Sequence, residues 1–271
     1  MKKRKHIENL FILTDLEGVS GVERFSQTRE EGTEKDEAKE LLTAEINAVI
    51  SGICQYDENI HIHVWDGHGS GGVVKENLKP VKRFLPSQWM HQHNYFKENK
   101  IDALVFVGQH AQSLTVHGNQ AHTMSSRTVH YYSINGNMIG EFGLRAAIAG
   151  ELGIPTIYIS GDDKACNEAK NLIPDIVTTT VMYGTGWESA VSIDPKRVHQ
   201  NQTNDIQIAL KMADEGIIEP FIIEPPIKLE VCKKNIFQIL SFLRKGGKRK
   251  GFNKAVFEVQ SMGELQDQKA I

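Results

Sequence analysis

Five residues of two chemical types stand where a fold would put reactive groups. Asp15 and Glu17 follow the apolar run Leu10-Phe11-Ile12-Leu13. His68 follows Ile60 to Val64, an alternating segment that ends in Trp65-Asp66-Gly67. His110 follows Ala103-Leu104-Val105-Phe106-Val107, and Glu141 opens a run of small residues after Gly140. Side chains alternate along a strand, so Asp15 and Glu17 can share a face, where two acids repel unless a cation lies between them. The alternative for that pair is a cap and a turn after a core strand. Three carboxylates and two imidazoles without a thiolate suit zinc, manganese or iron in a catalytic site. Such a set could hold two divalent ions roughly 3.5–4 Å apart with one carboxylate bridging, acidifying a bound water and polarising a carbonyl.

The elements that must position these groups follow from periodicity. The apolar runs at 10–13, 103–107 and 156–160 have the length and continuity of strands buried on both faces. Residues 34–53 carry Leu41, Leu42, Ile46, Val49, Ile50 and Ile53 at helical spacing. Helices are also expected over 144–152, over 164–172 with Asp162 or Asp163 as cap, and over 195–215 with Asp194 as cap. Residues 129–134 read as a strand and Asn135-Gly136-Asn137 as a hairpin turn; further strands fall at 178–182, 227–231 and 255–259. Residues 78–84 read as a short helix or turn, 236–243 as an apolar-patterned segment, and the chain after 259 as a polar tail. His61 and His63 are expected to pack or lie on the surface, and His91 and His93 to be surface residues.

The alternation of strands and helices predicts an α/β fold: a mostly parallel sheet flanked by helices, with the functional groups beyond the carboxyl ends of the strands. Residues 8–195 would form the metal-binding core. Residues 196–271 would form a smaller C-terminal α/β part packed on the same domain.

Composition narrows the function classes. The chain has 271 residues, 40% hydrophobic and 24% charged, with a net charge of −3. No field favours nucleic acid or an anionic membrane. The basic loop Gly246–Gly251 has no interleaved aromatics for base stacking. Cys54, Cys166 and Cys232 form no CxxC, which argues against a disulfide framework or a thiolate zinc site and for a reducing cytoplasm. The basic start, residues 1–6, precedes too short an apolar run for a secretory signal, so it reads as a polar extension.

Six motifs taken in order carry a family resemblance. They are Asp15-Leu16-Glu17-Gly18-Val19-Ser20-Gly21, Asp66-Gly67-His68, Gly108-Gln109-His110-Ala111, His122-Thr123-Met124-Ser125, Gly140-Glu141-Phe142-Gly143 and Gly161-Asp162-Asp163. On these the chain resembles the D-aminopeptidase family of binuclear zinc metallopeptidases (DppA type). The resemblance covers residue 8 to about 195 and is loose beyond Asp194. It implies that Asp15 bridges two zinc ions, that Glu17 and His68 complete one site, and that His110 and Glu141 complete the other. It implies that His122 is a catalytic residue and not a ligand. It further implies metal-activated water releasing N-terminal D-residues such as D-Ala from short peptides, and a homodecamer of two stacked pentamers. Other divalent transition metals would suit the same ligands. A related metal-dependent hydrolase of another amide, lactam or ester would carry the same site.

Overall fold

The computed structural model describes residues 6–271; the first five residues of the basic extension lie outside the described residues. The chain begins with β1 (Asn9–Thr14), α1 (Ser26–Arg29), α2 (Thr33–Tyr56), β2 (His61–Asp66), β3 (Arg83–Leu85), α3 (Gln92–Glu98) and β4 (Ala103–Gln109). The middle contains β5 (Val129–Ile134), β6 (Asn137–Met138), α4 (Glu141–Glu151), β7 (Thr156–Asp162), α5 (Asp163–Leu172), β8 (Val177–Gly186) and β9 (Ser189–Ser192). It ends with α6 (Pro195–Asp214), β10 (Ile227–Lys233), α7 (Ile236–Arg244), β11 (Lys248–Arg249), β12 (Lys254–Val259) and α8 (Met262–Asp267).

The main sheet has seven strands in the order β3-β2-β1-β4-β7-β8-β9. All pairings are parallel except β8 with β9. β1 and β4 lie side by side at its centre, buried on both faces, as their unbroken apolar runs require. Helices α2 and α6 pack on each other, and α6 covers β7 and β8; α4 packs on β4 and β7 and touches α3, α5 and α8. The mostly parallel α/β architecture with flanking helices matches expectation.

A second sheet, β11-β12-β10-β5-β6, is antiparallel throughout. It takes two strands from the middle of the chain and three from the end. Asn135 (φ 51°) and Gly136 (φ 88°) form the tight turn between β5 and β6.

Several expectations need correction. Residues 83–85 are an edge strand, not a helix or turn, because they pair with β2 in parallel register and Pro86 stops them. The chain after 259 is not a loose polar tail: it forms α8 and buries Met262, Leu265, Ala270 and Ile271. Ser261 caps that helix at the Glu264 N–H (3.1 Å), a pattern already written in Ser261-Met262-Gly263-Glu264. His91 and His93 are mostly covered because α3 docks against neighbours; they pair with Asp267 (2.9 Å) and Glu151 (3.2 Å). β8 runs on past the expected end at 182 to Gly186 and pairs with β9, which the sequence reading missed.

Candidate metal centre

The site lies beyond the carboxyl ends of β1, β2 and β4. Asp15 directly follows β1, with its N–H still in the ladder to Val107 O (2.9 Å). Three residues on, the Gly18 N–H donates to Gly108 O (2.8 Å), so the loops leaving the two central strands interlock. Only glycine permits this. A Cβ on Gly18 would fall 2.1 Å from Gln109 O, and one on Gly108, whose φ is +77°, would fall 2.1 Å from Asp15 O. Gly18 is therefore needed for close approach rather than for a turn conformation. The lock sets Asp15 and Glu17 against His110, which directly follows β4. His68 sits two residues past β2, Glu141 is the first residue of α4, and His122 lies on the loop between β4 and β5.

The five sequence-predicted ligands and His122 converge. Asp15 divides its carboxylate: Oδ1 is 3.1 Å from His68 Nδ1 and Oδ2 is 3.3 Å from His110 Nε2. Glu17 Oε2 is 3.0 Å from His68 Nδ1, and Glu141 Oε1 is 3.6 Å from His110 Nε2. Each imidazole thus faces the shared acid and one acid of its own. The His122 ring stacks on His110, centroids 3.9 Å apart and planes 12° apart, with Nε2 at 3.8 Å from Glu141 Oε1. One potential donor atom each from Asp15, Glu17 and His110 falls within a 4.8 Å cluster, as does one each from His110, His122 and Glu141.

The ring orientations are set from behind. A carbonyl oxygen only accepts, so each ring nitrogen facing one carries the proton. His68 Nε2–H donates to Thr28 O (2.9 Å), which leaves Nδ1 toward the acids. His110 Nδ1–H donates to Ala111 O (2.9 Å), which leaves Nε2. His122 Nδ1–H donates to Gln120 O (2.8 Å), which also leaves Nε2 facing the cluster. Glu141 Oε1 accepts the Met124 N–H (2.7 Å).

The cluster pulls strongly on cations. Burial alone would raise the Asp15 carboxyl, but the adjacent imidazoles of His110 and His68 hold it well below the usual carboxylate range. Burial alone would strip a proton from His110, yet Asp15 and Glu141 hold its ring well above the ordinary histidine value. Glu17 and Asp15 do the same for His68. His122 moves the other way: burial first, then the charge of His110, lowers it and keeps the ring neutral at pH 7. Glu17 Oε2 and His110 Nε2 are buried and make no hydrogen bond. Buried polar atoms left without partners are costly and are expected where a ligand completes the site. The donor set therefore fits divalent metal.

The remaining acids serve the scaffold. Asp66 accepts the Gly72 N–H (2.9 Å) and the Val73 N–H (3.2 Å), so it orders the loop that carries His68. Asp162 caps α5 at the Ala165 N–H (2.8 Å). Asp163 pairs with Lys164 and accepts the Gly184 N–H (2.9 Å). Sequence reasoning missed the cavity's arginines. The cavity, about 430 Å³, joins the three acids, His68 and His122 to Arg29, Arg127, Arg145, Trp89 and Met124. Arg145 lies on α4, Arg29 ends the short α1, and the others sit on loops, with no diagnostic spacing.

A mostly parallel sheet carrying buried carboxylates and imidazoles beyond its strand ends is the framework of a metal-dependent enzyme. The profile of the D-aminopeptidase family matches residues 9–264. The chain belongs to that family and, with it, to the metallopeptidases. Among relatives, it is 26% identical over 217 residues to a D-aminopeptidase of Bacillus subtilis (strain 168), covering 76% of this chain and 75% of that one. Among solved structures, it resembles the Zn-dependent D-aminopeptidase DppA from Bacillus subtilis, described as a self-compartmentalizing protease. The TM-score is 0.87 at 23% identity, over 97% of this chain and 95% of that chain. Among the described residues, no helix is long and apolar enough to cross a membrane.

Proposed function

We propose that this peptidase is a binuclear zinc aminopeptidase that releases N-terminal D-residues, such as D-Ala, from short peptides. The observation that carries the reading is the division of Asp15 between His68 and His110, each with its own second acid. Asp15 would bridge, Glu17 and His68 would complete one ion's site, and His110 and Glu141 the other's. Two bound divalent ions would supply a Lewis acid for the scissile carbonyl and a water acidic enough to attack at neutral pH.

The chain's own residues handle orientation and protons. Thr28 O and Ala111 O fix which nitrogen of His68 and His110 faces the acids. Gln120 O fixes the His122 tautomer, so its neutral Nε2 is the free base beside Glu141 and moves a proton during amide cleavage. The D-preference is supported by the family, and zinc by the zinc dependence of the solved relative. That relative's self-compartmentalizing character supports a closed homo-oligomer, and the proposed form is two stacked pentamers in the cytoplasm.

The test pairs metal analysis with stereochemistry. About two zinc per chain together with cleavage of D-Ala but not L-Ala p-nitroanilide is the expected result. Two metals with preference for the L-substrate would overturn the D-specific assignment and leave the centre standing.

A further inference from the structure

Three arginines share the cavity with the acids and histidines. Arg145 is buried, donates to Gln92 Oε1 (3.3 Å) and lies over the Trp65 ring. Arg29 and Arg127 are placed differently. The Arg29 guanidinium lies over the Phe25 ring, its Cζ 3.1 Å from the ring centre. Its Nη2 is buried and makes no hydrogen bond. Of the acids whose charge acts on it, Glu188 accepts the Phe25 N–H at Oε1 (2.8 Å) and Glu17 Oε2 lies 3.0 Å from His68 Nδ1. Arg127 is exposed on the same cavity, near enough for its charge to act on Arg29. Two guanidiniums opening on one cavity, one with a buried nitrogen unpartnered, make a receptor for a forked anion.

The position suggests which anion. Phe25 carries Arg29 on its face, and its ring centre is 6.3 Å from that of His122. An extended peptide advances about 3.3 Å per residue. A group held at Arg29 therefore sits within about three residues of a bond cleaved beside His122. We propose that Arg29 and Arg127 bind the free C-terminal carboxylate of a di- or tripeptide whose N-terminal end lies at the acid cluster. This rests on the peptidase reading and deepens it. The enzyme measures its substrate from both ends, and the cavity's modest volume agrees with a short ligand.

The experiment compares D-Ala-D-Ala with D-Ala-D-Ala amide on the zinc-loaded wild type, Arg29→Gln, Arg127→Gln and Arg29→Lys. The wild type should show a KM about ten- to a hundredfold lower for the acid, the worth of charge-assisted hydrogen bonds. Both glutamine variants should lose that preference through KM rather than kcat, and Arg29→Lys should restore part of it. Equal KM values for acid and amide in the wild type, or a preference that survives both glutamine variants, would overturn the proposal. If neither compound is cleaved, the peptidase reading fails, and calorimetric binding of the same pair decides the subsite. Tighter binding of the acid that Arg29→Gln abolishes supports it; equal binding overturns it. Circular dichroism checks that the variants fold, and Arg127→Gln, at an exposed position, serves if Arg29→Gln does not.

Discussion

Two clusters of charge in this molecule follow opposite rules. On the antiparallel sheet, Glu230 accepts from Tyr131 (2.7 Å), Lys250 (2.7 Å) and Lys254 (3.0 Å), and Lys254 also reaches the Tyr131 hydroxyl (2.6 Å). Both carboxylate oxygens are occupied, and Lys250 is largely exposed. At the ends of β1, β2 and β4, by contrast, three acids crowd three imidazoles in the interior while Glu17 Oε2 and His110 Nε2 make ion-pair contacts but no hydrogen bond. A satisfied surface network explains itself by the sheet it holds together. A buried cluster of acids and imidazoles does not, and the partner proposed for it is a divalent cation. Variants that remove one member from each cluster should therefore behave very differently.

The largest effect should come from Asp15→Asn. It keeps the shape of the side chain but removes the anion that both imidazoles share. Metal content should fall below two per chain, and turnover should drop by well over about a hundredfold, since even partners behind a ligand cost 10–100-fold. Mass spectrometric metal analysis and a peptidase assay read both. Retention of two tightly held ions would remove Asp15 from the bridging role.

His122→Ala should separate ligand from catalyst. A proton-transfer residue contributes about 10²–10⁴-fold to rate. Turnover should fall by that factor while metal content stays at the wild-type level. Loss of one ion would instead make His122 a ligand, an outcome its place within reach of His110 and Glu141 makes worth measuring.

How much of this contrast was legible in the sequence depends on whether the information is local. Asp15, Glu17, His68 and His110 each fall within three residues of the end of a strand that periodicity alone defines, so their convergence followed from a parallel sheet. The cap assignments of Asp162 and Asp194 were equally local. The antiparallel sheet was not local: β5 pairs with β10, nearly a hundred residues later, and nothing in either strand names its partner. Arg29 ends the one-turn helix α1 and Arg127 sits on the loop before β5, and both reach the cavity through tertiary packing that no spacing announces. The polar tail was misread for a different reason. Its capping pattern was present, but too few apolar residues accompanied it to outweigh its polar composition.

Between the two clusters in expected size lies Glu45, a buried acid of α2. It accepts the Ser20 N–H (2.9 Å) and Gln202 Nε2–H (2.7 Å), and burial pushes its carboxyl from 4.5 up to about 7. In the unfolded chain the group loses its proton near 4.5; in the folded chain it keeps it until about 7. The folded state therefore holds the extra proton between those values, and stability falls as pH rises through that window. Glu45→Gln should remove this dependence and be more stable than wild type at pH 8, by roughly 1–3 kcal/mol. An amide at 45 can still accept from Ser20, and it can donate to Gln202 Oε1, which is unpartnered in the wild type. Urea unfolding at pH 5 and pH 8 reads the difference. Parallel pH profiles for the two proteins would mean that Glu45 is ionised in the fold throughout.

The smallest effect should come from the surface network. Burial pushes the Glu230 carboxyl up, but its donors Lys250, Tyr131 and Lys254 outweigh that and bring it down to about 2. A lowered carboxylate contributes stability above its unfolded value of 4.5 and loses it as pH falls from there toward 2. Glu230→Gln should therefore cost something at pH 7 and little at pH 2. The cost should stay near or below about 1 kcal/mol, because partly exposed pairs are screened by solvent. In a chain of this size that is a shift of about 2–4 °C in Tm. The shift should shrink further in high salt, since exposed lysines supply the pairing. Peptidase activity and metal content should not change. A Glu230 variant that lost zinc would show that the two sheets are coupled more tightly than their opposite charge arrangements suggest.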